Sequence, residues 1–118
     1  GTATYRTSFD LPSPLLRPPD SLFIDLGAVR VVAEVTLNGQ ALGTLWTPPW
    51  RADATKALKA GPNALEVRVT NLWPNRLIGD AALPKEKRFT QTNLNKYAPD
   101  APLLPSGLLG PVRLLSRP

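Results

Sequence analysis

The sequence has 118 residues and contains no cysteine, no histidine and no methionine. Without cysteine there is no disulfide, thiol nucleophile or thiolate metal site to propose. Without histidine the usual neutral-pH general base and the commonest transition-metal ligand are missing, and a serine triad through Ser106-Gly107 is excluded. No apolar run approaches the ~18 residues that a membrane-spanning helix requires, so no membrane partner is expected. A basic, apolar, small-residue leader is also absent from the start of the chain. Opening on Gly1, with no Met, the sequence is expected to be a mature or excised piece with any export signal upstream.

What is present fits one domain over residues 1–118, large enough for a core of its own and too small for two. The net charge is +5, but Lys and Arg are scattered. The single cluster, Lys85-Glu86-Lys87-Arg88, is interrupted by an acid and reads as solvated surface, so no nucleic-acid partner is expected. The 14 prolines fall between apolar segments, as in an all-β domain with irregular connections.

Alternating apolar and polar residues predict the strands. Ala3–Leu11 places Tyr5, Phe9 and Leu11 on one side, a half-buried first strand. Proline-rich residues 11–20 break it. Ser21–Leu26 (Leu22, Ile24, Leu26) and Val31–Leu37 (Val31, Ala33, Val35, Leu37) follow. Asn38-Gly39 then predicts a type I′ hairpin turn, because both central positions of that turn need positive φ, and Gln40–Trp46 returns as the partner strand. After an extended Thr47–Asp53, residues 53–61 carry an N-cap candidate, helix formers and a closing Gly61, which predict one or two helical turns. Pro111–Ser116 supplies a last strand with Val112 and Leu114 inward, expected to lie beside the first. Roughly seven strands and almost no helix predict an antiparallel β-sandwich or jelly roll.

The stretch Asn63–Asp80 joins framework to candidate site. Leu65, Val67 and Val69 alternate with Glu66, Arg68 and Thr70 as in a strand with one wet face. Beyond Thr70 the alternation stops, and Asn71, Trp73, Asn75, Arg76 and Asp80 crowd together. No period of either kind is visible from Asn71 to Gly110, a connection long enough to be functional or an elaborate flap.

Three pieces, Val35-Thr-Leu-Asn38-Gly39-Gln-Ala-Leu-Gly43, Pro49-Trp-Arg-Ala-Asp53-Ala-Thr55 and Leu58-Lys-Ala-Gly61-Pro-Asn63-Ala-Leu65-Glu-Val67, resemble the sugar-binding domain of family 2 type glycoside hydrolases. Ala54 and Trp50 depart from that family's usual Ile and Phe or Tyr. The segments Thr70–Asp80 and Leu104–Leu114 are similar to the C-terminal end of α-L-rhamnosidase-like, family 106 type bacterial enzymes. The resemblance implies a galactose-binding-like jelly roll attached to a separate catalytic domain that is absent from this sequence. It carries over no catalytic residue, and it implies a secreted, extracellular or periplasmic bacterial protein.

A sugar offers hydroxyls and an apolar C–H face, so a site needs an aromatic platform with amide, carboxylate or guanidinium groups. The candidates are Trp46, Trp73, Asn75, Arg76 and Asp80, with Tyr97, grouped with Asn93, Asn95 and Lys96, as a rim. Each has a structural alternative: Trp73 could cap the sandwich end, Arg76 and Asp80 could pair to shape the loop, and Asn71 could be a turn former. Trp50 is expected in the core. Paired catalytic carboxylates find no support among the nine acids. A structural Ca²⁺ could take loop oxygens in this fold class, although no acidic cluster demands one. The expected function is a non-catalytic carbohydrate-binding module with a polysaccharide or oligosaccharide partner. The alternative is a structural domain that binds no sugar and docks on a glycosidase barrel in the same parent chain.

Overall fold

The computed structural model describes residues 1–16, 20–93 and 96–117. Two compact units emerge, one of Thr2–Asn71 with Ser106–Pro118, the other of Leu72–Pro105 with Gly1. The first carries strands β1 (Thr2–Leu11), β2 (Ser21–Asp25), β3 (Ala28–Arg30), β4 (Val32–Leu37), β5 (Gln40–Leu45), β6 (Arg51–Asp53), β7 (Gly61–Thr70), β8 (Gly107–Gly110) and β9 (Arg113–Arg117). They pair antiparallel in the orders β1-β7-β4-β5, β6-β2-β9 and β3-β8.

β7 organises the first sheet because it is paired on both edges, Val67 lying opposite Tyr5 of β1 and Val35 of β4. Its period-2 pattern buries Asn63, Leu65, Val67 and Val69. The opposite face carries the cross-strand pairs Arg6–Glu66 at 2.6 Å and Arg68–Glu34 at 3.2 Å. These exposed pairs each stabilise by only ~0–1 kcal/mol. The apolar face meets Leu22, Ile24 and Ala52 of the second sheet, with Leu26, Val29, Ala54 and Leu58, in one cluster. Trp50 packs against that cluster, and its carbonyl accepts the Leu26 N–H at 2.8 Å. This is the antiparallel β-sandwich that the alternation predicts.

The β4–β5 turn has φ of 52° at Asn38 and 80° at Gly39, the double positive φ of a type I′ hairpin. A register shift between Val35 and Thr36, opposite Gly43, bulges the same ribbon. The helical reading of residues 53–61 reduces to one hydrogen-bonded turn, with Ala57 and Leu58 both donating to the Ala54 carbonyl at 3.0 Å. The short Ala54–Leu58 span is anchored to the core at both ends, which leaves no length for a second turn.

Other expectations are corrected. The terminal strands are not neighbours: β1 pairs with β7, and β9 pairs with β2. Val112 precedes β9 and is exposed, while Leu114 is half-buried. β1 keeps the expected parity but buries only Leu11, because it is the outer strand of its sheet and Tyr5 remains exposed. Its phenol instead accepts the Leu108 N–H at 3.3 Å. The long aperiodic connection contains α1 (Pro74–Ala81), a single 3₁₀ turn at Lys85–Lys87, and β8. Of the proline-rich break, residues 17–19 lie outside the described residues.

Candidate functional site

The unit Leu72–Pro105 starts on α1. Trp73 sits at the N-cap with helical φ and makes no capping bond. Pro74 starts the helix instead, since its fixed φ is already helical and its missing N–H is one the first turn cannot satisfy. Arg76 Nη2 reaches Asp80 Oδ1 at 2.9 Å, one turn on. An acid at the C-terminal end of a helix opposes the macrodipole, so this pair adds little to helix formation. Its role is tethering. Asp80 Oδ2 accepts the Thr90 backbone N–H at 2.8 Å and the Thr90 hydroxyl at 2.6 Å. The Arg76 guanidinium also lies over the Phe89 ring at 4.7 Å. Gly79 makes room for it: a Cβ there would stand 3.1 Å from Arg76 Nη2.

Asp80 is 2% exposed. The hydrogen bond from the Thr90 hydroxyl holds its carboxyl below the usual carboxylate range against the opposing effect of burial, with help from backbone N–H groups and from Arg76. A folded pKa below the unfolded value, about 3.9, means the clasp is fully formed above that value and is lost as pH falls through the lower folded one. Amide-exchange protection at Thr90 should therefore be level from neutral pH to about pH 4.5 and fall away below ~4. Asp80→Ala should speed exchange of that amide about tenfold at neutral pH while leaving β7 protection unchanged. Unaltered Thr90 protection in the variant would show that the carboxylate does not hold the segment.

Asn75 is equally committed. Its Nδ2 donates to the Leu104 carbonyl and its Oδ1 accepts the Leu104 N–H, both at 2.8 Å. In the strand-bearing unit, Asn71 Nδ2 donates to Ser106 Oγ at 2.7 Å. The amide, carboxylate and guanidinium groups that the sequence put forward for hydroxyls are thus engaged in holding their own chain.

The arrangement leaves a cleft of about 920 Å³, at the upper end of the volumes typical of small-molecule sites. The second half of α1 (Leu77, Asp80, Ala81) forms one wall, and residues from 85–93 together with half-buried Tyr97 and Pro99 supply the rest. Lys96 Nζ lies 5.6 Å from the Tyr97 ring centre. Gln91 and Asn93 line the cleft and have no hydrogen-bond partner among the described residues. Of the anticipated residues, Asp80 and Tyr97 come together here. Trp73 is 67% exposed and does not line the cleft. Trp46 belongs to the strand-bearing unit, 72% exposed just beyond β5. Asn95 lies outside the described residues. No group of three or more acidic side chains converges among the described residues.

The sequence marks the polar segment Phe89–Asp100 as one that could be mobile or line a shallow cleft, without singling out Thr90 or Gln91, and it gives no sign that Lys85 and Arg88 line the cleft. The cationic run is exposed, as expected of solvated surface, yet it lends Lys85, Glu86 and Arg88 to the cleft wall. One available signal was spacing: in a 3₁₀ turn, side chains three apart eclipse.

Comparisons with known proteins agree with this architecture. Residues 1–100 match the family described as glycosyl hydrolase 2 galactose-binding domain-like. A Formosa agariphila protein named "Putative beta-glucuronidase" is 42% identical over 97% of this chain and 12% of its own length. The rhamnosidase from Novosphingobium sp. PP1Y superposes with a TM-score of 0.89 at 45% identity, covering 99% of this chain and 11% of that one. The Bifidobacterium dentium beta-glucuronidase, solved with coumarin-3-O-glucuronide, gives a TM-score of 0.53 at 38% identity over 58% of this chain and 11% of that one. The chain thus spans only 11–12% of the length of these relatives. With the strand order, the Asn38-Gly39 hairpin and the match over residues 1–100 in agreement, this chain belongs to the glycosyl hydrolase 2 galactose-binding domain-like family.

Proposed function

We propose that this chain is a non-catalytic accessory domain of a larger glycoside hydrolase and that it holds saccharide in the cleft of the Leu72–Pro105 unit. The cleft carries the reading: it is open, it has a half-buried tyrosine, and its Gln91 and Asn93 amides have no hydrogen-bond partner among the described residues. Amides can serve vicinal hydroxyls as donor and acceptor together, and an aromatic ring suits the C–H face of a pyranose. Cleavage chemistry is assigned to the remainder of the parent chain, because the acid beside the cleft that is most enclosed, Asp80, is committed to Thr90 and Arg76. The relatives named above are glycosidases eight to nine times longer than the stretch they share with this chain.

The test is calorimetric titration with a panel of neutral and acidic oligosaccharides. Binding should be weak, with Kd in the ~10 μM to mM range, since one ring and a few polar groups leave little surplus over the entropy of association. Tyr97→Ala should remove it. Silence across the whole panel, or full binding by Tyr97→Ala, would defeat the reading.

A second reading has its own observation. Leu72, Trp73, Leu103 and Leu104 are all exposed, and the Asn75–Leu104 bonds bring the two ends of that set together. This apolar surface suits docking on the rest of the parent chain. Panel silence together with self-association that Leu72→Ser and Trp73→Ser relieve would favour it.

A further inference from the structure

Resting on the saccharide reading of the cleft, we propose that its ligand is an acidic sugar, a uronic acid residue whose carboxylate is taken by Arg88 and Lys85. The 3₁₀ turn Lys85–Lys87 closes with the Arg88 N–H on the Lys85 carbonyl at 3.4 Å. Three-residue periodicity puts Lys85 and Arg88 on one side of that turn, and both line the cleft, whereas Lys87 does not. Arg88 spends Nε on the Leu83 carbonyl at 3.0 Å. Its two Nη groups have no partner among the described residues, and neither does the Lys85 ammonium. A guanidinium held by Nε with its outer donors open is a preorganised fork for a carboxylate.

The charge balance of the walls points the same way. Asp80, the enclosed acid, is neutralised by Arg76. Of the lining carboxylates, Glu86 alone lacks a cation among the described residues. Against it stand Lys85 and Arg88 of the lining, with the Lys96 ammonium 5.6 Å from the ring centre of the lining Tyr97 as a further cation nearby. A carboxylate entering this cleft meets an excess of positive charge, and Glu86 is left to accept a sugar hydroxyl.

Three trisaccharides titrated into the 118-residue chain decide the matter: trigalacturonate, its fully methyl-esterified form, and galactotriose. Trigalacturonate should bind at least about tenfold more tightly than the ester, which keeps the shape and removes the charge, and should weaken as salt is raised. Lys85→Gln should weaken it several-fold without moving the melting temperature, because that ammonium has no partner among the described residues to lose. Arg88→Lys keeps the charge but not the fork and should also weaken it. Equal binding of all three sugars overturns the carboxylate assignment and leaves the saccharide reading standing. Trigalacturonate affinity unchanged in both variants overturns the Lys85–Arg88 site. No binding by these or by any member of the wider panel removes the saccharide reading and this inference with it.

Discussion

Asn63→Leu should lower the unfolding free energy by on the order of 3–5 kcal/mol, a large share of the ~5–15 kcal/mol that holds a domain of this size together. Asn63 is 1% exposed, and every hydrogen-bonding position of its side chain is used. Nδ2 donates to the carbonyls of Lys59 at 2.8 Å and Gly61 at 2.9 Å. Oδ1 accepts from Lys59 N at 3.1 Å and from Asn38 Nδ2 at 2.8 Å. Asn38 in turn donates to the Ala57 carbonyl at 2.8 Å and accepts the Ala64 N–H at 2.9 Å. The pair of amides joins the β4–β5 turn to the chain entering β7. Leucine matches the volume but strands four groups, each of which then bears its own desolvation penalty. Asn63→Asp should be nearly as damaging at neutral pH, because a carboxylate would face two carbonyls. It should recover in part as the pH falls and the carboxyl gains a proton to donate, which Asn63→Leu cannot do. Urea unfolding followed by tryptophan fluorescence gives both values. A loss below about 1 kcal/mol for Asn63→Leu would show that the network is dispensable.

Gly27→Ala should cost at least about 3 kcal/mol, of which roughly 1–2 belongs to backbone conformation alone. Gly27 has φ of 67° and bridges to Gly110. A Cβ there would stand 2.5 Å from the Gly110 carbonyl carbon and oxygen and 2.7 Å from the Pro111 oxygen. All three are backbone atoms, of the last residue of β8 and of Pro111 after it, so no rotamer change relieves the clash. Gly61→Ala is the control: its φ is 80°, and nothing lies within 4 Å of the added methyl. The two variants pay the same conformational penalty, and their difference in unfolding free energy isolates the crossing. Equal losses would mean that the β8–β9 segment shifts at no cost.

The sandwich was legible where one face of a strand is buried. Leu65, Val67 and Val69, and likewise Ala33, Val35 and Leu37, announce their facing by period 2 because the second sheet covers them. Asn38-Gly39 was legible because a two-residue turn constrains φ directly. β1 misled because alternation records which way side chains point and not whether anything covers them. α1 was invisible for another reason: eight residues hold barely two turns, and their buried positions, Ile78 and Asp80, include a charge that no hydrophobic pattern registers. The site was half legible. The sequence offered Arg76 with Asp80 as either a ligand pair or a loop clamp, and the partners that place them on the clamping side, Thr90 and Phe89, come from later in the chain. Such pairings are set by folding and leave no local spacing to read.

Asn71 and Ser106 are joined by a 2.7 Å hydrogen bond, so the chain leaves the strand-bearing frame and returns to it at neighbouring residues. The entropy of closing an excursion from such a pair rises only with the logarithm of its length. The frame is thereby indifferent to what is strung between those two residues, and a lineage can lengthen, shorten or replace that insert without redrawing a single strand pairing.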